Sequence, residues 1–196
     1  TEHVPGVRSV SLGIWVGTGS RHESAGENGA AHFIEHMLFK GTKRRSAAQL
    51  AMDMDAIGGH VNAYTTKEEI VIHATVLKED LWKAASLLFE LALQPTFPEE
   101  EIDTEKGVVI DEINSCKDSP AEEIDDRFEE MLFEGHPLGR SILGTAASVR
   151  RMGRKHLTGF VRANFTPDRM AFTAVADLDE KAVGRKIVSL SDKFFP

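Results

Sequence analysis

Apolar and polar positions change their spacing several times along the chain, and each change marks an element. Residues 7–17 alternate in part and are rich in β-branched and apolar side chains, which predicts a strand. Gly17 to Gly29 is polar and glycine-bearing and reads as a loop. A helix-spaced apolar run over 30–39 follows, ending near Lys40-Gly41 with a cation in the last turn and a glycine after it. Ser46 caps a predicted helix over 47–57 that stops at Gly58-Gly59. His60 to Thr65 and residues 69–77 read as two strands joined by the polar turn Thr66-Lys67-Glu68, as in a hairpin.

The second half is mostly helical in its spacing. Leu81, Ala84, Ala85, Leu88, Leu91 and Ala92 give a helix over 79–93 its apolar stripe, and Pro95 lies beyond its end. Pro98 opens a helix over 99–115 whose first turn, Glu99-Glu100-Glu101, suits the positive end of a helix dipole. Asp118-Ser119-Pro120 starts another over 120–134, in which Phe128, Met131, Leu132 and Phe133 are expected to form a core stripe. Residues 135–152, with Gly, His-Pro and Ser, read as loop, and a helix over 153–164 follows. Met170 to Ala176 is a predicted strand, and Asp179 opens a last helix to about residue 190. Strands that come singly or as a hairpin between helix pairs predict an α+β fold with a mostly antiparallel sheet rather than a doubly wound one. No low-complexity segment and no strong repeat is visible.

Composition narrows the chemistry. At 196 residues a chain buries enough surface to fold without disulfides or structural metals, so a metal here is expected to serve chemistry rather than folding. Cys116 is the single cysteine, which excludes an internal disulfide and a cysteine-based zinc site and fits a reducing compartment. It reads as an inert thiol. The formal net charge of −8 argues against nucleic acid as the main partner and mildly favours cationic ligands. The apolar stretches fall far short of the roughly 20 residues that cross a bilayer. Thr1 at one end and Phe194-Phe195-Pro196 at the other make the chain read as a fragment.

Within the 30–39 helix, His32, Phe33, Ile34, Glu35 and His36 spell H-x-x-E-H. Histidines at i and i+4 share a face one turn apart, with Glu35 beside them. That is two-thirds of a catalytic zinc site plus a carboxylate base, because catalytic zinc commonly takes three protein ligands and leaves a place for water. The acidic helix 99–115 is the obvious source of a third ligand, and its Glu105 and Glu112, seven residues apart, lie on one face. His60, His73, His136 and His156 are not expected to ligate: His73 sits between Ile72 and Ala74 in a strand, and His136 precedes a proline in a turn.

The inverted H-x-x-E-H order resembles the signature of the inverzincins, the family of pitrilysin, insulin-degrading enzyme and the mitochondrial processing peptidase. That family has a third ligand about 76 residues beyond the second histidine, which falls on Glu112 here, and a further glutamate seven residues earlier, which falls on Glu105. Ala31 to Thr42 is similar to the family's core segment, Gly58-Gly59-His60-Val61-Asn62-Ala63-Tyr64-Thr65 to its substrate-side strand, and His136-Pro137-Leu138-Gly139 to a later turn. The likeness spans essentially the whole chain, closest to processing-peptidase-like bacterial members.

What the resemblance implies is a zinc metalloendopeptidase domain acting on unfolded peptides or presequences. One zinc would be held by His32, His36 and Glu112, Glu35 would be the general base, and Glu105 would orient a ligand or the base. Asn62 and Ala63 would bind substrate backbone and Tyr64 would line a side-chain pocket. The resemblance further implies a first strand and a following domain that this chain lacks, a homodimer or heterodimer in the full-length protein, and a bacterial cytoplasmic or, alternatively, mitochondrial matrix location. The rival from another class is a non-catalytic scaffold or substrate-binding subunit of the same fold. Such subunits usually lose a ligand or the base, and all four residues are present here.

Overall fold

The computed structural model describes residues 1–195. Among these, the elements run β1 (Glu2–His3), β2 (Ser9–Val16), α1 (Ala30–Leu38), α2 (Ala47–Ile57), β3 (His60–Thr65), β4 (Ile70–Leu77) and α3 (Leu81–Leu93). They continue α4 (Glu99–Asp118), α5 (Pro120–Leu132), α6 (Ala146–Arg151), α7 (Arg154–Asn164), β5 (Met170–Ala176) and α8 (Glu180–Ser191). The strands form one sheet in the order β1-β5-β2-β4-β3, antiparallel except where β1 runs parallel to β5. The expected α+β architecture is the one observed.

The sheet has one buried and one open face, as strand periodicity of two requires. Val10, Leu12, Ile14 and Val16 of β2 and Ile70, Ile72, Ala74 and Val76 of β4 point into the core. There they meet α1 and α3, whose Phe33, Ile34, Met37, Leu38, Leu88 and Leu91 are wholly buried. On the open face Trp15 lies along the sheet and its indole N–H donates to Thr173 Oγ1 at 2.9 Å. Gly13 makes room for that ring, since a Cβ there would stand 2.8 Å from Trp15 Nε1.

The start of α1 is fixed by a buried carboxylate. Glu23 accepts the N–H groups of Gly29 at 2.8 Å and Ala31 at 2.7 Å, and Asn28 Nδ2 at 3.1 Å. It thereby satisfies donors that a helix N-terminus leaves free and sets a carboxylate at the positive end of the dipole. Gly29 has φ 94°, and a Cβ there would meet Leu143 O at 2.6 Å, so only glycine fits the turn into the helix. At the other end Thr42 Oγ1 donates to the fully buried Glu90 at 2.5 Å, and Arg45 also reaches Glu90, tying the α1–α2 connection to α3.

Two expectations are corrected, and one short element lies where none was assigned. Residues 135–152 are not all loop: Thr145 and Ser148 form a reciprocal capping box that starts α6, and Val149 anchors it in the core. β1 is a two-residue strand too short for periodicity to reveal. The expected core stripe of α5 faces outward, with Phe128 56 %, Met131 72 % and Leu132 59 % exposed, and Ile124 joins it at 65 %. Among the described residues no helix is long and apolar enough to cross a membrane.

Candidate metal centre

α1 packs its apolar side into the core, which leaves His32, Glu35 and His36 on the side that meets α4 and β3. The two imidazoles stand edge to face with centroids 4.7 Å apart. From α4, Glu112 brings one carboxylate oxygen, Oε2, to 3.6 Å from His32 Nε2 and 3.5 Å from His36 Nε2. One potential ligand atom from each of these three residues lies within 4.8 Å of the others, the only such group of three or more His, Cys, Asp or Glu among the described residues.

The donor set fits a metal better than it fits hydrogen bonding. A carboxylate oxygen at 3.5–3.6 Å from two imidazole nitrogens is too far for a good hydrogen bond to either. Two ligands on one tetrahedral zinc, with bonds of about 2.0–2.2 Å, stand about 3.3–3.6 Å apart. Burial, with His36 beside it, pushes the His32 imidazole down to about 4, so at neutral pH it is uncharged and keeps a lone pair for a cation. His32 Nδ1 is buried without a hydrogen-bond partner among the described residues, so no protein contact fixes which nitrogen carries its proton.

Glu105 lies one turn pair before Glu112 and is 4 % exposed. Its Oε2 meets His36 Nδ1 at 3.0 Å and its Oε1 accepts from Lys40 Nζ at 2.6 Å. The Lys40 and His36 contacts together outweigh burial and hold its carboxyl below the usual carboxylate range. Lys40 is the residue that sequence reasoning missed. A lysine at a helix C-terminus is ordinarily explained by the dipole, and only the α1–α4 packing reveals its partner.

Glu35 is not among the three converging residues. It is largely removed from water, and burial raises its carboxyl above the ordinary range, against hydrogen bonds from the Thr65 side chain and backbone. That contact joins α1 to β3, the free edge of the sheet. Thr66 N–H donates to Glu69 C=O at 2.8 Å, so the alternation of an antiparallel ladder turns the backbone groups of Val61, Ala63 and Thr65 outward. Asn62 Oδ1 accepts the Ala63 N–H at 2.9 Å, covering one of these outward donors. Ala63 packs into the core, whereas Asn62 and Tyr64 lie on the open face, where Tyr64 neighbours His73 with centroids 5.8 Å apart.

The remaining histidines and the cysteine stand apart from this group. His136 Nδ1 accepts Leu138 N–H at 3.2 Å and closes its own turn. Burial and the neighbouring Glu122 push the Cys116 thiol up to about 11, leaving it protonated and unreactive at neutral pH.

Residues 1–146 match the family described as Insulinase (Peptidase family M16). A zinc protease of Mycobacterium tuberculosis is 43 % identical over 179 residues, 91 % of this chain and 41 % of the relative. The beta subunit of the mitochondrial processing peptidase of Saccharomyces cerevisiae is 34 % identical over 195 residues, 100 % of this chain and 41 % of that protein. The periplasmic protease PqqL from Escherichia coli superposes with a TM-score of 0.89 at 27 % identity, covering 98 % of this chain and 22 % of that one. The chain thus spans about two-fifths of the length of the curated relatives it matches.

Proposed function

The chain belongs to the insulinase family of peptidases, family M16, and from that premise we propose that it forms the metal-binding part of a zinc metalloendopeptidase acting on unfolded peptides. The observation that carries the reading is the convergence of His32, His36 and Glu112 with the half-buried Glu35 beside them on the same helix. His32 Nε2, His36 Nε2 and Glu112 Oε2 would hold one zinc. When bound, the ion supplies Lewis acidity, lowering the pKa of a water and polarising the scissile carbonyl.

The rest of the chemistry belongs to the protein. Glu35 accepts a proton from the water as its oxygen adds to the carbonyl carbon, and returns it to the amide nitrogen as the C–N bond breaks. Its carboxyl, raised by burial, is a stronger base than that of an exposed glutamate. Glu105 is a positioning residue, since it touches His36 and not the reacting atoms.

The free edge of β3 would take the substrate as an added strand. Backbone pairing to Val61 and Ala63 binds any extended sequence, which favours unfolded peptides over folded proteins. Asn62 would give up the Ala63 N–H to a substrate carbonyl, and Tyr64 would contact a side chain on the open face. The greater length of the relatives supports a second domain enclosing the site, and the full protein is proposed to work as a homodimer or heterodimer.

The test is zinc content and cleavage of an unfolded peptide by the wild type and Glu35→Gln. The variant should retain its zinc and lose about 10²–10⁴-fold in turnover. Unchanged turnover removes Glu35 from the reaction. Full-length wild type, with its second domain, that holds zinc but does not cleave supports the rival reading of a binding subunit.

A further inference from the structure

We propose that Lys40 is a positioning residue for the metal-facing imidazole of His36, acting through Glu105; the metal-facing role itself rests on the zinc reading above. The four side chains form a line. Lys40 Nζ meets Glu105 Oε1 at 2.6 Å, Glu105 Oε2 meets His36 Nδ1 at 3.0 Å, and His36 Nε2 faces Glu112 Oε2 at 3.5 Å. Each Glu105 oxygen thus has its own partner.

The order of protons along this line follows from donor inventory. An ammonium only donates, so it fixes Oε1 as an acceptor and turns the carboxylate plane. Oε2 then also accepts, and the proton of His36 sits on Nδ1. In the neutral ring Nε2 then carries the lone pair, on the side of Glu112 and His32, the orientation a metal needs. Among the described residues no comparable contact sets the proton of His32, whose Nδ1 is buried without a partner there. His36 is therefore the imidazole whose aim is fixed in advance.

The anchor of Lys40 is itself rigid. Its N–H donates to Met37 O at 3.2 Å at the end of α1, and Thr96 N–H donates to the next residue's carbonyl, Gly41 O, at 3.1 Å. Lys43 N–H donates to Gln94 O at 3.0 Å, and Thr42 N–H to Arg45 O at 2.8 Å. With Thr42 and Arg45 both held by the buried Glu90, the turn carrying Lys40 is pinned to α3 and to the segment leading into α4. A long side chain on this held turn reaches a buried carboxylate of α4, which in turn touches a ligand one turn back on α1.

The experiment compares wild type, Lys40→Met and Lys40→Arg in two measurements: the His36 tautomer in metal-free protein by ¹⁵N NMR, assigned through His36→Gln, and zinc affinity by chelator competition. Wild type and Lys40→Arg should show His36 protonated at Nδ1. Lys40→Met should lose that preference and bind zinc about 10–100-fold more weakly, and because it strips the buried Glu105 of its cation it should also lower the unfolding midpoint of the metal-free protein, a loss that Lys40→Arg restores. Lys40→Met that keeps both the tautomer and the affinity overturns the proposal. So does a lowered midpoint that Lys40→Arg does not restore, since that marks a merely structural lysine. If wild type takes up no zinc, the metal reading fails, while the tautomer comparison still decides what Lys40 does to His36.

Discussion

α4 and α5 follow one another with only Ser119 between them, and both are strongly acidic, yet they dispose of their side chains in opposite ways. α4 turns Ile102, Glu105, Val109 and Ile113 inward, carrying a carboxylate into the seam with α1, where Lys40 and His36 receive it. α5 buries none of its residues fully and leaves Ile124, Phe128, Met131 and Leu132 exposed, while Arg127 pairs with Glu123 and Glu130 at the surface. A buried charge costs several kcal/mol unless it is paired, so it survives only where partners are built for it. An exposed apolar stripe carries no such penalty, although a contiguous one also departs from pattern. The inward carboxylate is the costlier departure.

Substitutions on the two sides should separate sharply. Phe33→Ala, in the α1 core beneath the seam, should cost about 3–5 kcal/mol in urea unfolding. A loss under about 1 kcal/mol would mean that α1 is not held by its core face. Phe128→Ser, on the outer stripe of α5, should change stability by no more than about 0.5 kcal/mol. A loss comparable to that of Phe33→Ala would show that this face is covered in solution and would restore the core stripe that its periodicity suggests.

Much of the seam was legible from the chain because its chemistry needs fixed residue types at fixed spacing. His32, Glu35 and His36 are constrained by one helical turn, and Glu105 and Glu112 by two. The β3–β4 hairpin was legible because alternation and turn residues agree, and its strands run as expected from His60 to Thr65 and on to Leu77. The α5 stripe was misread because periodicity says that a face is apolar and not that protein covers it. α6 was missed because six residues give no periodicity, and its Thr145–Ser148 box lies among residues that favour loops. Lys40 was missed because its role exists only across two helices. Asn62 was read for its substrate role, but its bond to the Ala63 N–H depends on which edge groups the register leaves unpaired.

If His32, His36 and Glu112 together hold zinc, the ion's neighbours are two imidazole nitrogens and a carboxylate oxygen. X-ray absorption at the zinc edge on the stoichiometrically loaded protein measures this most directly. The loaded protein should show a shell of nitrogen and oxygen at about 2.0–2.2 Å, with the outer scattering of two imidazoles and no sulfur. A sulfur scatterer at about 2.3 Å, or a shell without imidazole, would contradict that ligand set.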